Sequence, residues 1–182
     1  MRHLDLFSGI GGFSLAVDRA FHDQEIEHTF VEWEPFCQAV LKKHWPEAEI
    51  HGDIRAFIDD AKRNQQGGTH SRSMGKAEGI SRFDRKKHSP AGWFSRADVY
   101  LLTGGFPCQP FSHAGRRKGT DDDRYLWPPM FEAISIFKPR WVIAENVRGL
   151  ATWNDGMVLE TVCADLEAIG YEVQPIIIPA AS

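Results

Sequence analysis

Arg2-His3-Leu4-Asp5-Leu6-Phe7-Ser8-Gly9-Ile10-Gly11-Gly12-Phe13 is the stretch that decides the fold. A short apolar strand, residues 2–7, runs into a cluster of glycines and then into a helical stretch from Phe13 to Phe21. Glycines after a first strand let the backbone turn tightly and approach a ligand lying at the helix N-terminus. The spacing is not Gly-x-Gly-x-x-Gly, so a dinucleotide pyrophosphate is not the obvious guest. An ordinary tight turn between strand and helix is the competing reading.

Outward from this unit the alternation of strand and helix continues. Residues 27–33 read as a second strand, and Glu34-Pro35 opens a helix with proline in a tolerated first-turn position. Residues 48–51 form a brief third strand, followed by a helix from Ile54 to Arg63. Residues 98–103 and 140–145 read as a fourth and a fifth strand, with a helix from Pro128 to Phe137 between them. Val158, Leu159, Val162, Cys163, Leu166 and Ile169 fall on one helical face, and Gly170 suits its stop. Tyr171 to Ile178 is expected as a sixth strand. Such alternation implies a largely parallel sheet covered on both faces, in a single domain over 1–182.

One segment breaks the rhythm. Residues 64–95 are rich in Gly, Ser, Arg, Lys and Gln with almost no apolar period, and are expected to be an exposed, flexible, basic insertion. Nine Lys/Arg against two acids between Lys62 and Arg96 give a local charge of +7, within a chain whose net charge is −4. A polyanion would be met by this one segment on an otherwise acidic body, or the segment is simply solvated. No apolar run approaches a membrane span. Three widely spaced cysteines (Cys37, Cys108, Cys163) argue against a disulfide framework and for a reducing compartment. The eight histidines are scattered without metal-binding spacing, so no metal site is read.

The residues suited to chemistry stand at the ends of the strands. Gly104-Gly105-Phe106-Pro107-Cys108-Gln109-Pro110-Phe111-Ser112 puts a thiol behind the fourth strand, where open α/β sheets bind their ligands. A nucleophile is one reading of Cys108; a buried, inert cysteine is the other. Glu32-Trp33 ends strand two. An acid there is the usual acceptor for ribose hydroxyls, and the tryptophan can stack on adenine. Otherwise Trp33 is core and Glu32 surface. Asp53, after strand three, can accept from an adenine amino group or cap the helix that begins near Ile54. Glu145 closes strand five, beside the Cys108 loop, and invites an acid–nucleophile pair. A strand-end acid bonded to a backbone amide is its plainer role.

With these pieces in this order, the chain resembles the N-terminal part of the DNA (cytosine-5)-methyltransferase family. The matching motifs are Asp5 to Phe13, Glu32-Trp33, Gly52-Asp53-Ile54, Gly105-Phe-Pro-Cys-Gln109 and Glu145-Asn-Val147. They span nearly the whole chain apart from 64–95. The resemblance implies a Rossmann-like, S-adenosylmethionine-dependent methyltransferase fold, incomplete at its C-terminus. It implies double-stranded DNA as partner, with the target cytosine flipped out of the stack. Cys108 would add to ring carbon 6, and Glu145 in its protonated form would hold ring nitrogen 3. Carbon 5 would then take the methyl group. Phe7, Ile10, Gly12, Glu32, Trp33, Asp53, Ile54, Gly105, Pro107 and Leu126 would line the cofactor. Ser112, Arg116, Arg117 and Lys118 would lie in a loop that closes over DNA. A bacterial or phage-encoded cytoplasmic protein with a role in restriction–modification is implied.

The sequence departs from the family after Pro179-Ala-Ala-Ser182. The family's Gln-x-Arg-x-Arg segment, target-recognition domain and C-terminal return do not follow. The expectation is therefore a natural truncation, an excised fragment, or one piece of a split enzyme whose recognition domain comes from a separate chain. This chain alone is expected to be inactive. An RNA cytosine-5 methyltransferase and an inactive cofactor-binding remnant are the alternatives.

Overall fold

The structure, a computed structural model, describes residues 1–67, 99–107, 126–152 and 156–179. Five parallel strands form one sheet in the order β3-β2-β1-β4-β5. They are β1 (Arg2–Leu6), β2 (Glu27–Val31), β3 (Glu49–His51), β4 (Leu101–Gly105) and β5 (Trp141–Glu145). The helices are α1 (Gly12–Ala20), α2 (Pro35–His44), α3 (Ile54–Gly67), α4 (Trp127–Phe137), α5 (Gly149–Thr152) and α6 (Met157–Ala168). The strand order reverses direction between β1 and β4, which makes the ends of those two strands the switch point of the sheet.

Alternation along β1 explains how the sheet is covered. Successive side chains of a strand point to opposite faces. Leu4 and Leu6 are fully buried in a core with Ile58, Leu102, Met130 and Ile134. Here α3 packs on α4 and α4 on α6. His3 and Asp5 point the other way, toward α1, and are just as buried. On that face the apolar filling comes from Phe30 and Trp45, whose rings lie 5.3 Å apart, and from fully buried Leu41. The sheet therefore has one apolar face and one face with a polar layer inside it.

The structure shifts several expected boundaries. β4 starts at Leu101 and includes Gly104 and Gly105, because the backbone of those glycines continues the ladder with Ala144 and Glu145. α3 runs on to Gly67, past the expected start of the basic insertion; the rest of 64–95, from residue 68, lies outside the described residues. α5 carries no apolar period long enough to announce it.

The sixth strand is a correction. Among the described residues, Tyr171 to Pro179 has no strand pairing. The β-branched run Ile176-Ile177-Ile178 has the composition of a strand, but composition supplies no partner, and a strand exists only as a pair. The segment instead turns after Gly170 (φ +94°) and is tied by the Tyr171 hydroxyl, which donates to the Pro139 carbonyl at 2.6 Å. A cavity of about 1370 Å³ lies between this segment and β5, which among the described residues pairs only with β4.

Candidate active site

The first turn is built by backbone geometry. Phe7, Gly9 and Gly11 all take positive φ, at 55°, 54° and 89°. Glycine accepts that region freely; phenylalanine does not. Gly11 has a second reason to be glycine: a Cβ there would sit 2.5 Å from the Trp45 ring. The turn delivers α1 with Gly11 as its N-cap and no side chain capping it, so its first amides face outward. Ile10 stands 61% exposed at the tip, and Gly12 opens the helix with clear space around it.

Glu32 holds this turn from the end of β2. One carboxylate oxygen accepts from the Gly9 amide at 2.7 Å and the other from the Glu34 amide at 2.8 Å. The group is buried, and nothing in the residue pattern announces this bracing role. Its neighbour Trp33 is 79% exposed, which rules out the core alternative and leaves a bare indole face beside the turn. Asp53 accepts from the Arg55 amide at 2.7 Å, so it does cap α3. The Ile54 side chain belongs to the core, which leaves only its backbone for a ligand.

Gly105 and Glu145 are register partners at the ends of β4 and β5. A Cβ on Gly105 would lie 3.0 Å from Glu145 Oε2, so the missing side chain is what makes room for the carboxylate. Glu145 is exposed at the rim. Asn146, next to it, donates from Nδ2 to the Phe106 carbonyl at 2.9 Å. It thus ties β5 to the chain leading into Pro107 and Cys108. Leu126 lies across the same opening, its amide donating to the Pro107 carbonyl at 3.4 Å. Cys108, Ser112, Arg116, Arg117 and Lys118 lie outside the described residues.

Beneath the turn sits a buried polar layer that the sequence reading missed. Asp5 Oδ2 accepts from the Ser14 hydroxyl at 2.7 Å, and Oδ1 lies 2.7 Å from Thr103 Oγ1. Thr103 Oγ1 is 2.9 Å from His3 Nε2, and His3 Nδ1 is 2.9 Å from His28 Nδ1. His28 Nε2 is 2.8 Å from Asp18 Oδ1, whose other oxygen accepts from Trp45 Nε1 at 2.9 Å. Burial, reinforced by the Glu32 carboxylate, pushes Asp5 up to about 6 against the pull of its hydroxyl partners. Burial, with His28 adding to it, pushes His3 down to about 3. The scattered positions of these residues concealed the layer: strands 25 and about 100 residues apart bring them together.

The chain as a whole is similar to known proteins. The family model for C-5 cytosine-specific DNA methylases matches residues 1–67 and 75–182. The chain belongs to the C-5 cytosine-specific DNA methylase family. It is 30% identical over 174 residues to the type II methyltransferase M.HgiCI of Herpetosiphon aurantiacus, covering 95% of this chain and 33% of that protein. It is 28% identical to the type II methyltransferase M.BanI of Aneurinibacillus aneurinilyticus, covering 100% of this chain and 35% of the relative. This C-5 cytosine-specific methylase chain therefore spans about a third of the length of those relatives. A crystal structure of a mutant of Spodoptera frugiperda DNMT2 superposes with a TM-score of 0.52 at 16% identity, over 90% of this chain and 40% of that one. That likeness supports the largely parallel α/β fold expected from the strand pattern and the Rossmann-like fold that the family resemblance implies.

Proposed function

We propose that this chain is the cofactor-binding and catalytic part of a DNA (cytosine-5)-methyltransferase. The observation that carries the reading is convergence. The glycine turn, the Glu32-Trp33 pair and the Gly105–Glu145 pair stand at the ends of four adjacent strands, around the switch point of the sheet. The cofactor is S-adenosylmethionine, which supplies an electrophilic methyl group. The chain's geometry suits it: an uncapped helix N-terminus, an exposed indole face and a braced acid stand at the turn, where Gly9 and Gly12 have clear space around them. Phe7, Ile10 and Gly12 line the methionine end. Glu32 offers its remaining lone pairs to the ribose hydroxyls, Trp33 stacks on the adenine, and Asp53 with the Ile54 amide meets the adenine edge. Gly105, Pro107 and Leu126 close the side toward the target base.

For the base, the Cys108 thiolate forms a bond from Sγ to ring carbon 6. The electron pair of the carbon 5–carbon 6 double bond moves to carbon 5, which becomes the nucleophile. Glu145 holds ring nitrogen 3 and stabilises the charge as it develops. Asn146 is a positioning residue, since its bond to Phe106 fixes the start of the Cys108 loop against β5. Carbon 5 would take the methyl group as the methyl–sulfur bond of the cofactor breaks, leaving S-adenosylhomocysteine, and the carbon 5 proton would then leave to a base. The Sγ–carbon 6 bond then breaks and returns the thiolate. Ser112, Arg116, Arg117 and Lys118 contact the DNA backbone.

The chemistry is tested by trapping on DNA that contains 5-fluorocytosine, which lacks the carbon 5 proton and so cannot release the enzyme. In a chain extended to the length of its relatives, a covalent protein–DNA adduct should form with S-adenosylmethionine. Cys108→Ser should abolish the adduct, and Cys37→Ser or Cys163→Ser should leave it. Both of the latter lie on helices, α2 and α6, part-buried. An undiminished adduct with Cys108→Ser overturns the assignment.

A further inference from the structure

The buried layer under the glycine turn contains four consecutive contacts: Asp18–His28, His28–His3, His3–Thr103 and Thr103–Asp5, all 2.7–2.9 Å long. Each needs one proton between its two heavy atoms, because two lone pairs at that distance repel. A neutral His28, a neutral His3 and the Thr103 hydroxyl supply three. The fourth must be an additional proton on one member of the chain. The group that holds it decides how every other member is oriented.

Placing it on Asp5 satisfies all four contacts with a single charge, on Asp18, the one member with solvent access (side chain 39% exposed). Asp5 then donates to Thr103, Thr103 to His3 Nε2, His3 Nδ1–H to His28 Nδ1, and His28 Nε2–H to Asp18. Every other placement leaves an ionised Asp5 at 0% exposure. Burying that charge is costly unless it is paired. The groups facing the chain are Glu32 from the end of β2, Asp18 from α1, His3 from β1 and His28 from β2; β4 contributes only the neutral Thr103. No cation faces Asp5 among these.

Ionising Asp5 reverses part of the chain. The Thr103 hydroxyl has one proton and turns it toward the carboxylate. His3 Nε2 then faces a bare oxygen and must carry a hydrogen itself. His3 cannot do this by gaining charge, since burial holds its imidazolium form down to about pH 3. It does it by moving its single proton from Nδ1 to Nε2. We propose that Asp5, Thr103, His3 and His28 form a one-proton switch, in which ionisation of Asp5 flips His3 from the Nδ1–H to the Nε2–H tautomer and turns the His3–His28 contact into an acceptor facing its partner. The protons balance: Asp5 gives one up to solvent, Thr103 reorients its own, and His3 keeps its count. The contact weakened is the one joining β1 to β2 under the turn that Glu32 braces.

Nuclear magnetic resonance on this chain tests the switch without any ligand, so the result is independent of the proposed methyl transfer. Imidazole ¹⁵N shifts report the tautomer of His3, and the carboxyl ¹³C shift reports the charge of Asp5. Between pH 4.5 and 8 the two signals should change together with one midpoint, near 6 and well above the ordinary aspartate value of 3.8. Asp5→Asn keeps a donor facing Thr103 at every pH and should lock His3 as Nδ1–H throughout. Thr103→Val removes the link and should let Asp5 titrate while His3 stays unchanged. Should either variant fail to fold, the titration of the unaltered chain decides alone. A His3 tautomer that stays fixed while Asp5 ionises, or an Asp5 midpoint near 4, overturns the proposal.

Discussion

Asp5 and His3 sit two residues apart on the same face of β1, and burial moves both away from their charged forms. Their effects on stability oppose each other. Asp5 is raised from 3.8 to about 6, so between those values it binds a proton only when folded. Its contribution is complete below about 3.8 and is lost as pH rises through 6. His3 is lowered from 6.5 to about 3, so between those values it binds a proton only when unfolded. Its contribution is present above 6.5 and is lost as pH falls toward 3. From roughly pH 4 to 6 the two slopes cancel. Asp5→Asn removes one of them. The stability of the variant relative to the parent chain should rise by about 1.4 kcal/mol per pH unit over that window. Urea unfolding at three pH values checks this, and a constant difference would contradict the burial argument. Trp33 makes a different kind of prediction. At 79% exposure it contributes little to the core, so Trp33→Ala should leave the unfolding midpoint almost unchanged. Calorimetry with S-adenosylhomocysteine should show affinity reduced by about 5- to 10-fold, the loss of one aromatic stack.

Among elements, the turn between β1 and α1 separates what the sequence makes visible from what it does not. Its glycines could be read directly, because only glycine fits where φ is positive or a neighbour is close. The structure sorts them further. Gly11 has φ +89° and Trp45 against it, so Gly11→Ala should destabilise by about 1–3 kcal/mol. Gly12 has nothing within 4 Å of its would-be Cβ, so Gly12→Ala should be close to neutral for stability while obstructing the cofactor. Thermal unfolding of the two variants side by side tests the contrast, and equal losses would show that the turn is strained as a whole. Phe7, the third positive-φ residue, gave no signal, since nothing in a phenylalanine marks its backbone conformation. Glu32 was legible as a strand-end acid but not as the brace of Gly9, because the amide it meets is 23 residues away. The polar layer was illegible for the same reason. Histidine in a strand reads as a neutral filler until the register of three strands stacks His3, His28 and Thr103. Periodicity encodes which face is buried; it does not encode which polar groups meet there.

On the scale of the whole molecule, the two edges of the sheet are unequal. β3 is three residues long and carries Glu49 and His51, which is how natural sheets blunt an edge. β5 is five residues long and hydrogen-bonds only to β4 among the described residues. It exposes Trp141 at 59% and Ile143 at 48%, and Trp141, Val142 and Ala144 line a cavity shared with Ile176, Ile177 and Ile178, which are 69–78% exposed. An unpaired apolar edge is a template for another strand, and exposed isoleucines nearby add surface that favours burial. The chain should therefore associate as its concentration rises, through β5 rather than β3. Light scattering over a concentration series measures this. Ile143→Lys places a charge on the β5 edge and should restore a monodisperse monomer, whereas Ile50→Lys on β3 should not. The core includes Val158, Val162 and Leu166 of α6 but not Ile143, so the remedy leaves the core intact. A chain that stays monomeric at every concentration, or one whose association is unaffected by Ile143→Lys, would show that something other than the β5 edge governs its behaviour in solution.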